Sequence, residues 1–512
     1  ILGEFDERPL LSEYARSLTG LRTSDNQRIL RCHWEVSSFG AMWEGLQSTV
    51  KDSCLYAGRE QIICWDKGGG ALEELAKHKL ASIQGREAWG RRGVCVSLMG
   101  DLPATLYSGD IYDMNAGVVW PKREEYLLPI WAFLSSESYD KEVRKIDKQI
   151  KLTTSTLLKV PFDYSYWSKI AKQRYPNGLP LPHSTDPAQW LFCGHPKGSD
   201  DPLQVAVARL LGYEWPRQTG SSFMDCPAIE EADGLEKHVD ADGIVCLNAI
   251  QGEQAASDRL GNILRDAYYD AWSPGVLDDL LHEHGEGAED VHTYLRDKFF
   301  ARHLQLFQQR PFVWHVWDGR KDGFHALVNY HRLAGADGLG GRTLDKLVFT
   351  YLREWIDRQQ GEVDAGEPGA EARLAAARHL SEELKKIREG ESPYDVFVRW
   401  KPLHRQPMGW EPDVNDGVRL NIRPFLTARP LAPSRKKESI LREPPNIKLD
   451  KADRGKEPAR PREDFPWFYG WDEQTVDFTG DGDFDGKRWN GLHYTRAAKQ
   501  AARQRKANQA AE

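Results

Sequence analysis

The sequence contains no apolar run approaching ~20 residues, so nothing in it reads as a membrane-spanning helix. It contains no C-x-x-C pair. Its seven cysteines, at 32, 54, 64, 95, 193, 226 and 246, are scattered, which argues against a zinc ribbon or a disulfide framework and fits a reducing, cytoplasmic setting. No G-x-S-x-G, no H-E-x-x-H and no P-D-x(n)-[DE]-x-K cluster is found, so hydrolase, zincin and nuclease chemistries have no foothold. The opening "ILGEFDERPLL" lacks both an initiator Met and the pattern of a secretory leader, and reads as part of something longer.

What is present is 512 residues, enough for two to four folded units. Tryptophan is unusually frequent, at 18, and such large flat side chains suit stacking and interfaces as well as cores. The formal net charge of -8 hides an asymmetry: residues 141–174 hold nine Lys or Arg against three acids. The acids gather elsewhere, in "AIEEADGLEKHVDADG" (228–243) and "HEHGEGAEDVH" (282–292). An acidic protein can still grip a polyanion through one basic face, although a solvated helix face explains lysines equally well.

Along the chain, "GVCVSLMGD" (93–101) and "AGVVWP" (116–121) are β-branched runs bounded by Gly, Asp and Pro, and predict strands. "LLPIWAFLSSESYDKEVRKIDKQI" predicts one helix, with Ile130, Leu134 and Val143 on one side. The segment "KQIKLTTSTLLKVPFD" (148–163) then passes from lysines through four hydroxyl residues into "TLLKVPFD", read as a strand with Pro161 at its edge. Helices dominate from 186 to 310, clearest in "DPLQVAVARLLGY" and "TYLRDKFFARHLQLF". "PFVWHVWDGRKDGFHALVNYH" (311–331) predicts a hairpin around a DG turn. Next comes a helix from an N-cap at Thr343, a polar linker at 359–369 and an Ala-rich helix, "EARLAAARHLSEELKKIRE". The last ~80 residues, rich in Pro, Gly and charge, predict an extended tail.

Several motifs tempt and fall short. "DGDFDG" (481–486) matches the first six positions of a calcium loop, but Leu492 stands where the bidentate acid belongs, and a turn is the better reading. "GADGLGG" (335–341) lacks the spacing and the lysine of a phosphate loop. "CGH" (193–195) has no further ligand at metal spacing. No catalytic residue and no metal-ligand set is assigned. Two arginine–glycine stretches keep a functional reading: "GREQ", with Arg59, and "QGREAWGRRG", with Trp89 among Arg86, Arg91 and Arg92. Arginine forks read guanine edges or clamp phosphates, and glycine lets the backbone approach.

These residues carry a resemblance. "GREQIICWDKGGG…AWGRRGVCVSLMGDLPATLYSGDIYDMNAGVVWP" is similar to the region after the catalytic domain in large bacterial adenine-specific DNA methyltransferases, the type IIG, BREX PglX-like and DISARM-like enzymes of restriction–modification and phage defence. "LPIWAFLSSESYDKEVRKIDKQIKLTTSTLLKVPFD" resembles the element closing their target-recognition domains, and "RPFVWHVWDGRKDGFHALVNYHRL", "NDGVRLNIRPF", "LREPPNIKLDKADRGKEP" and "RWNGLHYTRAAKQAARQ" resemble downstream and closing blocks. The family methylates a specific adenine of double-stranded DNA at N6, with S-adenosylmethionine as donor. Its catalytic half uses a glycine-rich strand–turn and an N-P-P-aromatic tetrad. Neither is found here: the only Pro-Pro, in "EPPN" (443–446), lacks the initial Asn and the aromatic.

The resemblance therefore implies the target-recognition and C-terminal half of such an enzyme, with the methyltransferase domain upstream in cis. The donor would be bound by that domain, and no cofactor by this chain. The expected fold is α+β: a mixed α/β recognition domain (1–185), a helical region (186–310), a hairpin with helices (311–430) and the tail (431–512). Lys148, Lys151, Thr153, Thr154 and Lys159 are the expected phosphate-positioning contacts, and Arg59, Arg86, Trp89, Arg91 and Arg92 the candidate base readers. The alternative is a scaffold subunit of a phage-defence complex, with the Trp-rich hairpin and the tail binding partner subunits.

Overall fold

A computed structural model of the chain describes residues 8–335, 339–394, 404, 407–434, 438–447 and 496–511. The fold is mixed α+β and divides into two compact units. Unit 1 holds residues up to His33, then Ser38–Cys193 and Trp215–Glu230; unit 2 holds Trp34–Ser37, Gly194–Glu214 and the chain from Glu231.

Unit 1 is built on two four-stranded sheets. The first runs β1 (Ala15–Thr19), β8 (Ala116–Pro121), β5 (Gly93–Ser97), β6 (Ala104–Tyr107), all antiparallel, with Ala15 opposite Pro121 and Val94 opposite Val119. The runs read as strands from their β-branched residues are therefore its two central strands. Their unbroken apolar character has a physical reason, because both faces are buried. Val94, Val96 and Val119 pack into a core with Ile130, Trp131 and Phe133, while Cys95, Val118 and Trp120 pack into a second one with Tyr107 and Tyr112. The second sheet runs β2 (Leu30–Cys32), β4 (Gln61–Cys64), β3 (Trp43–Gln47), β7 (Ile111–Tyr112), with only β3 and β7 parallel.

The single helix expected over 127–150 is two, Leu127–Leu134 and Glu137–Ile146. Ser135 and Ser136 break it: their hydroxyls donate to the carbonyls of Trp131 (2.7 Å) and Phe133 (2.6 Å), competing with the helical ladder. "TLLKVPFD" is likewise not a strand. Thr153 is the N-cap of a short helix, Thr154–Leu157, and only one bridge, Leu10 to Pro161, follows. Pro161 has no N–H to extend a ladder, so pairing with the N-terminal segment stops after Leu11 N to Val160 O (2.9 Å) and Ser12 N to Leu158 O (3.0 Å) on one side and Phe162 N to Pro9 O (2.8 Å) on the other.

In unit 2 the expected hairpin forms: β10 (Val313–Trp317) pairs with β11 (His325–Asn329), which pairs with β9 (Ile244–Cys246). Asp318 shapes its turn, its carboxylate accepting from the N–H of Arg320 (3.0 Å) and of Phe324 (2.9 Å). Thr343 is not an N-cap, since its helix already starts at Leu339. The segment 359–369 is not wholly linker either, because a helix runs through Leu352–Asp364 before Ala370–Glu389 begins. Arg373 explains this by reaching back to Gln359 Oε1 (2.6 Å) and Glu362 (2.7 Å), which holds the polar helix end against its neighbour. The "DGDFDG" loop, most of the tail and residues 336–338 of "GADGLGG" lie outside the described residues; Arg496–Ala511, at the tail's end, is helical.

Candidate nucleic-acid interface

The segment from Ile146 to Lys159 forms a rim on unit 1. After the helix Glu137–Ile146 the chain makes a turn that Arg144 ties down, its guanidinium donating to the carbonyls of Gln149 and Gly100 and pairing with Asp140 (3.2 Å). Lys151 bridges to Met99, and Leu152 N donates to Leu98 O (3.0 Å) as the Leu152 side chain enters the core. Lys148 and Lys159 are exposed and make no side-chain bond among the described residues; Lys151 donates to Asn115 Oδ1 (3.2 Å). The hydroxyls do partly structural work. Thr153 Oγ1 is within 3.0 Å of Ser155 Oγ and 3.1 Å of Thr156 Oγ1, and Thr154 turns its methyl toward Gly117 of β8. Gly117 is what lets this short helix settle on the sheet, for a Cβ there would stand 2.8 Å from Leu157 Cδ1 and 3.1 Å from Thr154 Cγ2.

The nine cations of 141–174 divide into two sets. Lys141, Arg144 and Lys145 pair with Glu137 (3.4 Å), Asp140 and Glu142 (2.7 Å) on their own helix. The other six, Lys148, Lys151, Lys159, Lys169, Lys172 and Arg174, form no ion pair among the described residues, and all are exposed. Cations without carboxylates project a positive field that a phosphate can fill.

The expected base readers form a second cluster, with one exception. Arg59 is wholly buried: its guanidinium donates to Leu106 O (2.9 Å) and Ser108 Oγ (2.9 Å) and stands 3.8 Å from Asp110. It is an internal strut of unit 1, placed where no base edge reaches. Arg86 is exposed, pairs with Glu73 (3.5 Å) and lies over the rings of Trp65 (5.5 Å) and Trp89 (5.7 Å), which meet edge to face. Arg91 donates to Glu87 O (2.8 Å), and Arg92 is clamped by Asp225 (2.6 Å) and Glu124 (3.2 Å). Beside them opens a cleft of about 720 Å³ lined by Trp43, Trp65, Trp89, Phe39 and Phe223 with Glu44 and Asp110. Burial pushes both carboxyls up, and the charge of Asp110 pushes Glu44 further.

The two clusters do not coincide. Arg92 precedes the first residue of β5 and Met99, the bridge partner of Lys151, follows its last, so they are separated by roughly 20 Å of extended chain. Sequence reasoning missed Arg144 as the tether, the aromatic partners Trp43 and Trp65, and the exposed Met99, Ile146 and Ile150 around Lys148. An isoleucine inside a lysine run was the available signal.

Unit 2 offers a second cleft, of about 500 Å³, with Arg296, Lys321, Arg358, His325 and Trp355 in its lining. Its cations are already paired, Arg296 with Asp297 (2.7 Å) and Arg358 with Glu354 (3.1 Å). The hairpin's Trp314 and Trp317 are buried in unit 2. Among the described residues no cluster of His, Cys, Asp or Glu could hold a metal ion, and no helix is long and apolar enough to cross a membrane.

No protein-family model matches the chain. Over 145 residues it is 30% identical to the adenine-specific methyltransferase BrxX of Escherichia coli O9:H4 (strain HS). The likeness is to a methyltransferase. It covers 28% of this chain and 11% of that relative's length. A glycine-rich turn does join β4 to the helix Ala71–Lys77, but β4 is antiparallel to both neighbours and so lacks the parallel strand–helix–strand crossover of a nucleotide-binding unit.

Proposed function

We propose that this chain is the DNA-recognition portion of a site-specific adenine N6-methyltransferase of restriction–modification or phage defence, whose methyl-transfer domain lies upstream in cis. The observation that carries this reading is the group of six exposed cations around Lys148–Arg174 that have no carboxylate partner among the described residues, in a protein otherwise rich in acid. The methyltransferase likeness supports the same family of activities. On this reading Lys148, Lys151 and Lys159 hold phosphates, with Thr153 and Thr154 at their side. Arg86, Arg91 and Arg92 would exchange Glu73, the Glu87 carbonyl and the Asp225–Glu124 clamp for DNA acceptors, with Trp89 as a ring, about six base pairs away at the ~3.4 Å rise of duplex DNA. Methyl transfer and its donor belong to the upstream domain, and other defence-system subunits are the further partners this reading admits.

The test is an anisotropy titration of the chain against random-sequence duplex DNA across a salt series. Phosphate-led binding requires log K to fall linearly with log salt. No affinity at low salt, or affinity indifferent to salt, would refute the reading and favour a scaffold role.

A further inference from the structure

The rim exposes more than charge. Ile150 leaves 77% of its surface in water, and Ile146 and Met99 leave 47% and 48% of theirs. These three sit on neighbouring backbone, since Met99 bridges to Lys151 and Ile146 ends the preceding helix. The turn that carries Ile150 is stiff. Arg144 holds the carbonyl of Gln149 together with that of Gly100, Asp147 Oδ1 accepts from Gln149 N (2.9 Å), and Leu152 is locked in the core two residues later. A large apolar side chain is thus held out in solvent between two lysines, Lys148 and Lys151, that have no carboxylate partner among the described residues.

Apolar knuckles flanked by phosphate-gripping cations have a physical use on DNA. Side chains such as Ile and Met enter the minor groove and part a base step, and the flanking contacts offset the lost stacking. A groove about 6 Å wide admits one narrow turn of this kind. The lysines on both sides and the hydroxyls of Thr153 and Ser155 match a polyanion better than an apolar protein surface. The acids of the adjoining helix, Glu137, Asp140 and Glu142, are already taken by its own cations. We infer that Ile150, backed by Ile146 and Met99, is a wedge that enters the minor groove of duplex DNA and unstacks a base step while Lys148 and Lys151 hold the adjacent phosphates. This rests on the DNA-recognition reading and adds to it a way of loosening the duplex before a base is turned out.

The experiment needs no knowledge of the recognised sequence. The full chain is bound to closed circular plasmid, the DNA is relaxed with a type I topoisomerase, and the linking number is read after the protein is removed. Unwinding by a wedge lowers the linking number in proportion to bound protein. Ile150→Ala is expected to bind duplex within about threefold of the parent with the same salt slope, and to lose at least two thirds of the linking change; Ile150→Leu keeps it. If Ile150→Ala unwinds as fully as the parent, or if the parent binds duplex without changing the linking number, the wedge is refuted while the DNA reading stands. If the chain ignores duplex but binds phosphatidylserine vesicles through Ile150, both are refuted.

Discussion

Arg59 and Lys148 show how differently two cations act at the scale of the residue. Arg59→Ala would strand the carboxylate of Asp110 and the acceptors of Leu106 and Ser108 in the interior. Removing one partner of a buried pair costs about 3–5 kcal/mol, which urea unfolding will show as a lower midpoint. Lys148→Ala removes no side-chain bond among the described residues and is expected to leave stability within about 0.5 kcal/mol. Its effect falls on DNA: this variant and Lys151→Ala are each expected to flatten the salt dependence of duplex binding by about 0.9 in slope, the share of one phosphate. "GREQ" and "GRRG" look alike as sequence. What separates them is Asp110, some fifty positions along the chain, which no local pattern around Arg59 announces.

Among elements, those whose cause is local were readable. Strands β5 and β8 and the hairpin β10–β11 follow from β-branched runs and a DG turn, and the Ala-rich helix from its own composition. Elements decided by side-chain chemistry or a remote partner were not. The break at Ser135–Ser136 depends on hydroxyls bonding carbonyls within their own turn, and the helix at Thr154–Leu157 and the helical end at Gln359–Asp364 on a sheet surface and an arginine, none of which periodicity registers. Of the candidate interface, the lysines and hydroxyls were legible because charge is local, whereas the cleft was not, because its walls come from five separate segments. The seating of the short helix is itself testable. Gly117→Ala would press a methyl against Leu157, Leu98 and Thr154, so overpacking of about 1–3 kcal/mol is expected on urea unfolding, together with weaker duplex binding as the rim lifts.

For the molecule as a whole, no shift in composition marks the excursions of the chain between units at Trp34–Ser37 or Gly194–Glu214. Unit 2 carries an acid sensitivity of its own. Burial pushes His303 down to about 3 and His325 and His331 down to about 4. His303 must stay neutral, since its Nε2 accepts from the N–H of Phe312 (3.3 Å) and of Val313 (3.2 Å). A histidine whose folded value lies below its unfolded 6.5 takes up protons preferentially when unfolded. Stability is therefore present above pH 6.5 and lost as pH falls toward 4. At pH 5 each such group costs about 2 kcal/mol. Asp318, pushed up to about 6 by burial, works the other way, returning about 1 kcal/mol over the same interval. The net expectation is a lower melting temperature at pH 5 than at pH 7, with amide exchange in β10 and β11, corrected for its intrinsic rate, accelerating over that range.

The pairing of the N-terminal segment has a consequence in time. Ala15–Thr19 finds its partner only at Gly117–Pro121, and Leu10–Ser12 only at Leu158–Pro161. On the ribosome the earliest of these residues must stay unpaired until about 150 more have been joined, which at ~5–20 residues per second takes of the order of ten seconds or more. The rim is thus completed late, by a stretch of chain made about 150 residues before its partner. A fragment that begins after residue 19 would keep every lysine of the rim and lose the backbone that seats it.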